Sequence, residues 1–138
     1  GDINFRAKIA DAAGKQLKNT DDAMDFCSAL IAEEREEVCL AVCLNAKSAV
    51  TYSEIVGRGN SSETPFSLRR IVEIALAQKS NAIIIAHNHP SGDPTPSEAD
   101  LSMTKEIQKG CRFLGLTLHD HIIVGAGYEV SLRGLGKM

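Results

Sequence analysis

The chain has 138 residues, 43% of them hydrophobic, which suits a single globular domain with a proper core. A formal charge of −3 and a pI near 5.8 deny it the broad basic field of nucleic-acid binders, and 4% aromatic content without tryptophan leaves few stacking platforms for single strands. No apolar run approaches the roughly 20 residues that span a bilayer and no basic-then-apolar leader opens the chain, so the expectation is a soluble protein with no membrane contact.

Residues 1–19 show no firm pattern and read as an N-terminal extension of the domain. The start at Gly1-Asp2, without methionine, reads as an excised or processed piece. Over 20–34 the apolar positions Ala23, Phe26, Cys27, Leu30 and Ile31 recur at helical spacing, opened by Thr20 with Asp21 and Asp22 in the first turn. Residues 38–44 and 49–56 are apolar and β-branched and flank Asn45-Ala46-Lys47-Ser48, which predicts a hairpin with Glu54 in its second strand. The strand near Val38 is read as a sheet edge through which copies of the chain could pair, and the oligomeric state is left open.

A polar loop over 57–63 leads to Thr64-Pro65, the expected cap and first position of a helix running to about Gln78, with Leu68, Ile71, Val72, Ala75 and Leu76 on its apolar face. The short run Ala82-Ile83-Ile84-Ile85-Ala86 is continuously apolar, as in a strand covered on both faces, and it delivers His87 and His89. The loop over 91–95 could be a lid or a rigid turn. Thr95-Pro96-Ser97-Glu98 then reads as a capping box with proline at the first helical position, followed by Leu101, Thr104, Ile107, Cys111 and Leu114 along one face. Residues 117–124 and 128–132 complete the sheet as two strands around Gly125-Ala126-Gly127. The element order predicts an α/β or α+β architecture, a mixed sheet flanked by helices, in one domain over 1–138 without repeats.

The four cysteines, Cys27, Cys39, Cys43 and Cys111, lie inside apolar patterns, which suits free thiols in a reducing cytoplasm. Cys39 and Cys43 would share a strand face but lack the turn of a zinc knuckle. Arg58, Arg69 and Arg70 could form a local basic patch, although solvated surface charges are the expected reading. Direct DNA binding by this domain is therefore not expected.

Chemistry concentrates in His87-Asn88-His89, then seven residues, Ser97, two residues and Asp100. Histidines one residue apart project to the same side if strand pairing continues through them. A carboxylate from the following helix start would complete a His-His-Asp set with a fourth position open, as in catalytic zinc sites. Asp100, reaching back from the second turn of its helix, and Asp93 compete for that place, with Asp93 between Gly92 and Pro94 suited to turn chemistry. His119 and His121 form a second pair that lacks a helix-start carboxylate, with Asp120 between them expected to point the other way.

This pattern resembles the JAMM motif of the JAB/MPN metalloprotease superfamily, in which His-x-His, seven residues, Ser, two residues and Asp follow an upstream Glu. The Pro90-Ser91-Gly92-Asp93-Pro94 insert and the Leu118-His119-Asp120-His121-Ile122-Ile123 run resemble its bacterial RadC-like branch, as does Asn88 where eukaryotic members carry Ser or Thr. The resemblance covers about residue 32 to the C-terminus. It implies a JAB/MPN-like fold, a helix-hairpin-helix-type segment upstream, and Zn2+ held by His87, His89 and Asp100. It also implies that Ser97 donates to the oxyanion and that Glu54, which interrupts an apolar strand, is the general base. Glu63, in a loop, and Glu73, on a helix face near Arg69 and Arg70, are the rival bases. The implied reaction is metal-assisted hydrolysis of a peptide or isopeptide bond in a protein or peptide whose identity the residues do not name. A DNA-repair-associated accessory module without turnover is the alternative. The Asp120-His121 pair is shared by the branch and could shape a groove or support the first metal's ligands. Zinc deaminases need His-x-Glu and Pro-Cys-x-x-Cys, which are absent.

Overall fold

The computed structural model describes residues 2–59 and 66–138. Its elements in chain order are α1 (Asp2–Ala12), α2 (Thr20–Ile31), β1 (Val38–Leu44), β2 (Val50–Arg58), α3 (Leu68–Ala77), β3 (Ala82–Asn88), α4 (Glu98–Phe113), β4 (Thr117–Val124) and β5 (Glu129–Ser131). The five strands form one mixed sheet in the order β2-β1-β3-β4-β5, with helices on both faces, as the alternation of elements predicted. β1 runs antiparallel to β2 and to β3, β3 and β4 are parallel across the α4 crossover, and β5 closes the far side as an antiparallel hairpin.

Strand alternation sorts the core into two layers. Leu40, Val42, Leu44, Ile84 and Ala86 face α2, where they meet Phe26, Leu30 and Ile31. Cys39, Ala41, Cys43, Ile83 and Ile85 face α3 and α4, where they meet Phe66, Ile71, Ile74, Met103, Ile107 and Cys111. All seven residues of β1 are fully buried, and the four cysteines are free and buried, with burial raising each thiol.

Several local expectations shift. Val38 does not start an edge strand, because β3 covers the other side of β1, and β2 and β5 are the outer strands. Asn19, not Thr20, caps α2, its side chain accepting from the Asp22 amide at 2.8 Å. Ser67 caps α3, which begins three residues beyond the predicted proline start, and Thr64 and Pro65 lie outside the described residues. Ser97 is the cap of α4, so Pro96 precedes the helix, and Asp100, not Glu98 with Thr95, completes the capping box. Asx-type and hydroxyl caps compete over one or two positions, and the side chain that reaches the third amide wins. The N-terminal extension is also ordered onto the sheet, with Gly14 and Val50 and then Leu17 and Ser48 joined by backbone bonds and α1 before them. No helix among the described residues is long and apolar enough to cross a membrane.

Candidate metal centre

β3 continues two residues past its predicted end, through His87 and Asn88, and the His89 amide still donates to the Val124 carbonyl at 2.8 Å. Pairing through this point puts His87 and His89 on the α3/α4 face and sends Asn88 to the other. Asn88 is a structural clamp: its Oδ1 accepts from the Val38 amide at 2.8 Å and its Nδ2 donates to the Glu34 and Glu36 carbonyls. It thereby ties the α2–β1 connection to the strand that carries the histidines.

Asp100 is the third residue of α4, in its first turn and not its second, and Oδ2 accepts from the Ser97 amide at 2.9 Å. Its carboxylate lies between the imidazoles, with Oδ1 3.2 Å from His87 Nε2 and Oδ2 3.2 Å from His89 Nε2; the two Nε2 atoms are 3.0 Å apart. Burial works to raise the Asp100 carboxyl, but the contacts with His87 and His89 and the Ser97 amide outweigh it and hold the group well below the usual carboxylate range. His87 is 1% exposed at its side chain and Asp100 10%, whereas His89 at 19% lies nearer solvent.

The donor set fits a dication. His89 Nδ1 donates to the Asp93 carbonyl at 2.8 Å, so in the neutral ring Nε2 carries the lone pair that a metal would take, while the Asp100 carboxylate raises the ring's pKa and favours a proton on Nε2 when no metal is bound. The two Nε2 atoms lie 3.0 Å apart and each is 3.2 Å from a different oxygen of the Asp100 carboxylate, close to the edge of roughly 3.3–3.4 Å in a tetrahedron with metal–ligand distances of about 2.0–2.1 Å. Among the described residues these three form the one group of histidine, cysteine or acidic side chains close enough to share an ion.

The rivals sort cleanly. The Asp93 carboxylate is turned away into an Asx turn, accepting from the Thr95 amide at 3.0 Å and the Thr95 hydroxyl at 2.7 Å, and those bonds lower its pKa. The 91–95 segment is a turn held at both ends. Gly92 donates to the His89 carbonyl, Ala126 donates to the Gly92 carbonyl, and a Cβ at Gly125 would collide with the Gly92 carbonyl and the Pro94 ring.

Ser97 is beside the centre as a helix cap, its hydroxyl oxygen accepting from the Asp100 amide at 3.0 Å, a role that leaves its proton unused. Ser97→Ala is expected to cost about 1 kcal/mol of stability through the lost cap. The check is the urea midpoint at constant slope, and a loss of under a few tenths of a kcal/mol would mean that the cap carries no weight.

Glu54 is not drawn into the His-His-Asp group. It pairs with Ala41 across β1, whose other neighbour is Ile85, so it shares the sheet face with His87 but lies two strands away. There Arg70 grips it in a two-pronged ion pair, with Nε and Nη2 each at 2.7 Å, and the Tyr52 hydroxyl donates to Oε1 at 2.7 Å. The Arg70 bonds lower the Glu54 pKa. Glu73 is 3.8 Å from both Arg69 and Arg70, the exposed ion pairing its spacing predicted, and Glu63 lies outside the described residues. Arg58 pairs with Glu34 and Glu36, so each of the three arginines of the suspected basic patch meets a carboxylate.

The second histidine pair splits. Ile83 pairs with Leu118 and Ile84 with Asp120, which leaves His119 as the extra residue of a bulge, open to a cleft beside α2 with Lys18 and Arg133. Burial and Arg133 lower its pKa. His121 falls on the opposite face, wholly buried behind His87, with Nε2 2.8 Å from His87 Nδ1 and Nδ1 2.6 Å from the Thr104 hydroxyl. Burial holds His121 well below the usual histidine pKa, and the nearby His87 adds to the effect. Thr104, which sequence patterning counts only as a helix-face position, was the missed participant; its one signal was a hydroxyl four residues after Asp100.

A RadC-like JAB domain profile matches residues 17–137. A UPF0758 protein of Ruegeria pomeroyi is 38% identical over 122 residues, which is 88% of this chain and 54% of that protein. A UPF0758 protein of Rhodobacter capsulatus is 40% identical over 115 residues, 83% of this chain and 54% of the relative. The chain thus spans about half the length of these curated relatives.

Proposed function

This chain belongs to the RadC-like JAB domain family, and from that premise we propose that it is a zinc-dependent metallohydrolase that cuts a peptide or isopeptide bond in a protein substrate in the cytoplasm. The observation that carries the reading is the convergence of His87, His89 and Asp100 at 3.0–3.2 Å in a nearly dry corner of the sheet. These three residues would hold the zinc. A bound zinc ion supplies Lewis acidity and a water of lowered pKa.

The chain's own groups supply the rest. Ser97, whose hydroxyl proton is not used by the cap, donates to the carbonyl oxygen as it gains charge. Glu54 takes a proton from the attacking water and passes it to the nitrogen of the departing amine as the C–N bond breaks. For this it must exchange Arg70 for the reacting groups, because the ion pair that lowers its pKa keeps it ionised but makes it a weaker base.

A DNA-repair-associated binding module without turnover is the second reading, favoured by that same Glu54–Arg70 pair, which keeps the carboxylate outside the metal group. Elemental analysis and peptide hydrolysis separate the two. The hydrolase reading expects about one zinc per chain, lost in His89→Ala, and hydrolysis that drops about 10²–10⁴-fold in Glu54→Gln. Less than about a tenth of an equivalent in zinc-supplied parent protein would sink it. Full zinc with hydrolysis untouched by Glu54→Gln would remove Glu54 from the mechanism.

A further inference from the structure

Behind the candidate centre a chain of hydrogen bonds runs through three elements and returns to its start. The Asp100 backbone carbonyl can only accept, so the Thr104 hydroxyl, 2.7 Å away, must spend its single proton there. Thr104 Oγ1 can then only accept from His121 Nδ1 at 2.6 Å, which leaves His121 Nε2 as a lone pair. That lone pair faces His87 Nδ1 at 2.8 Å, so Nδ1 carries the proton of His87. His87 Nε2 is left bare, 3.2 Å from the Asp100 carboxylate on the helix where the sequence of bonds began.

We propose that His121 and Thr104 are positioning residues that lock His87 in the tautomer whose Nε2 lone pair is presented to a metal, and that they tie this choice to the seating of α4. The inference deepens the metal-centre reading and rests on it for its purpose. Nothing in an imidazole itself keeps Nε2 free; the partner of the other nitrogen decides. His121 is suited to the task because it is wholly buried, and Phe66 stands edge-on to the rings of both His87 and His121, at 5.8 and 5.5 Å between centroids. No water is needed to satisfy either nitrogen of His121, since both have protein partners. For the same reason His121 is not a ligand, and the bulge at His119 serves to bring it behind His87.

Two measurements test this. Long-range proton–nitrogen NMR of metal-free protein with labelled histidine, at about pH 9, above the ordinary histidine range, reads the tautomer directly. His87 is expected as the Nδ1–H form in the parent and in Thr104→Ser, and as a mixture or the Nε2–H form in His121→Phe and Thr104→Val. Zinc affinity, by competition with a chromophoric chelator, should fall about 10–100-fold in His121→Phe. It should recover to within a few fold in His121→Gln, whose amide can accept from His87 and donate to Thr104.

An Nε2–H tautomer for His87 in the parent overturns the proposal, and so does a zinc affinity within about twofold of the parent in a folded His121→Phe. If His121→Phe does not fold, the Thr104→Val and Thr104→Ser pair decides by the same two readouts. A parent that binds no zinc would end the metal reading while the NMR result still settles the tautomer.

Discussion

Asp100→Ala is expected to reduce zinc uptake from about one equivalent to below a tenth, and to weaken the fold even when no metal is supplied. The carboxylate has two jobs on two atoms. It contacts both histidine Nε2 atoms, and Oδ2 also accepts the Ser97 amide in the capping box of α4. Removing it takes one of three anionic or neutral donors from the centre and leaves a helix-start amide without its acceptor. The cap contributes about 1 kcal/mol and the negative charge at the helix N-terminus another 0.3–1 kcal/mol. Asp100→Asn separates the jobs: its amide oxygen still accepts from Ser97, so most of the cap survives, while the charge that holds a dication is gone. Zinc at a hundred times its dissociation constant should stabilise the parent by about 2.7 kcal/mol, and neither variant should respond to it. Thermal unfolding with and without zinc or a chelator reads both effects. Parent-like zinc stabilisation in Asp100→Ala would remove Asp100 from the ligand set.

The largest loss of stability outside the hydrophobic core is expected at Asp120, on the opposite face of β4 from His121. Its buried carboxylate accepts from the Ser131 hydroxyl at 2.5 Å, the His121 amide at 2.8 Å and the Arg133 amide at 3.1 Å, while the Arg133 side chain donates to the His119 and Leu118 carbonyls. These bonds bind β5 and the turn after it to the bulge that separates His119 from His121. Asp120→Ala leaves three buried or part-buried donors without an acceptor, at about 1–3 kcal/mol for each one that water cannot reach. A total of roughly 2–4 kcal/mol is expected, read as a fall in melting temperature on the order of 10 °C for a domain of this size. A shift of only a degree or two would mean that solvent enters and replaces the carboxylate. Because the same residue pins the His121 backbone, zinc affinity should fall with stability in Asp120→Ala, whereas Ser131→Ala should lose the smaller part of each.

The sequence reading and the structure part company where long-range partners matter. Glu54 is legible as an acidic residue in an apolar strand, and its strand is where the pattern put it. Its partner is Arg70 of α3, sixteen residues away across a loop, and helical spacing alone pairs Arg70 with Glu73. Both contacts exist, but the two-pronged one is closer and decides the state of the Glu54 carboxylate. The edge placed at Val38 failed for a related reason. A hairpin shows that two strands are neighbours and says nothing of what lies on their outer sides, and β3 inserts there through contacts some forty residues apart in the chain.

What the residues determined by themselves was the chemistry carried on single elements. A strand's two-residue alternation aims His87 and His89 to one side, and a three-residue offset lets Ser97 and Asp100 close on each other at a helix start; both follow from covalent geometry over a few bonds. What only the tertiary structure decided was register and facing. One unpaired residue in β4 turns His119 toward α2 and His121 toward His87, although the two look equivalent as a His-x-His pair. A bulge costs little locally, so the sequence around it does not announce it. It is chosen because burying Leu118 and His121 on one face and Asp120 with Ser131 on the other satisfies the core and the hydrogen bonds together.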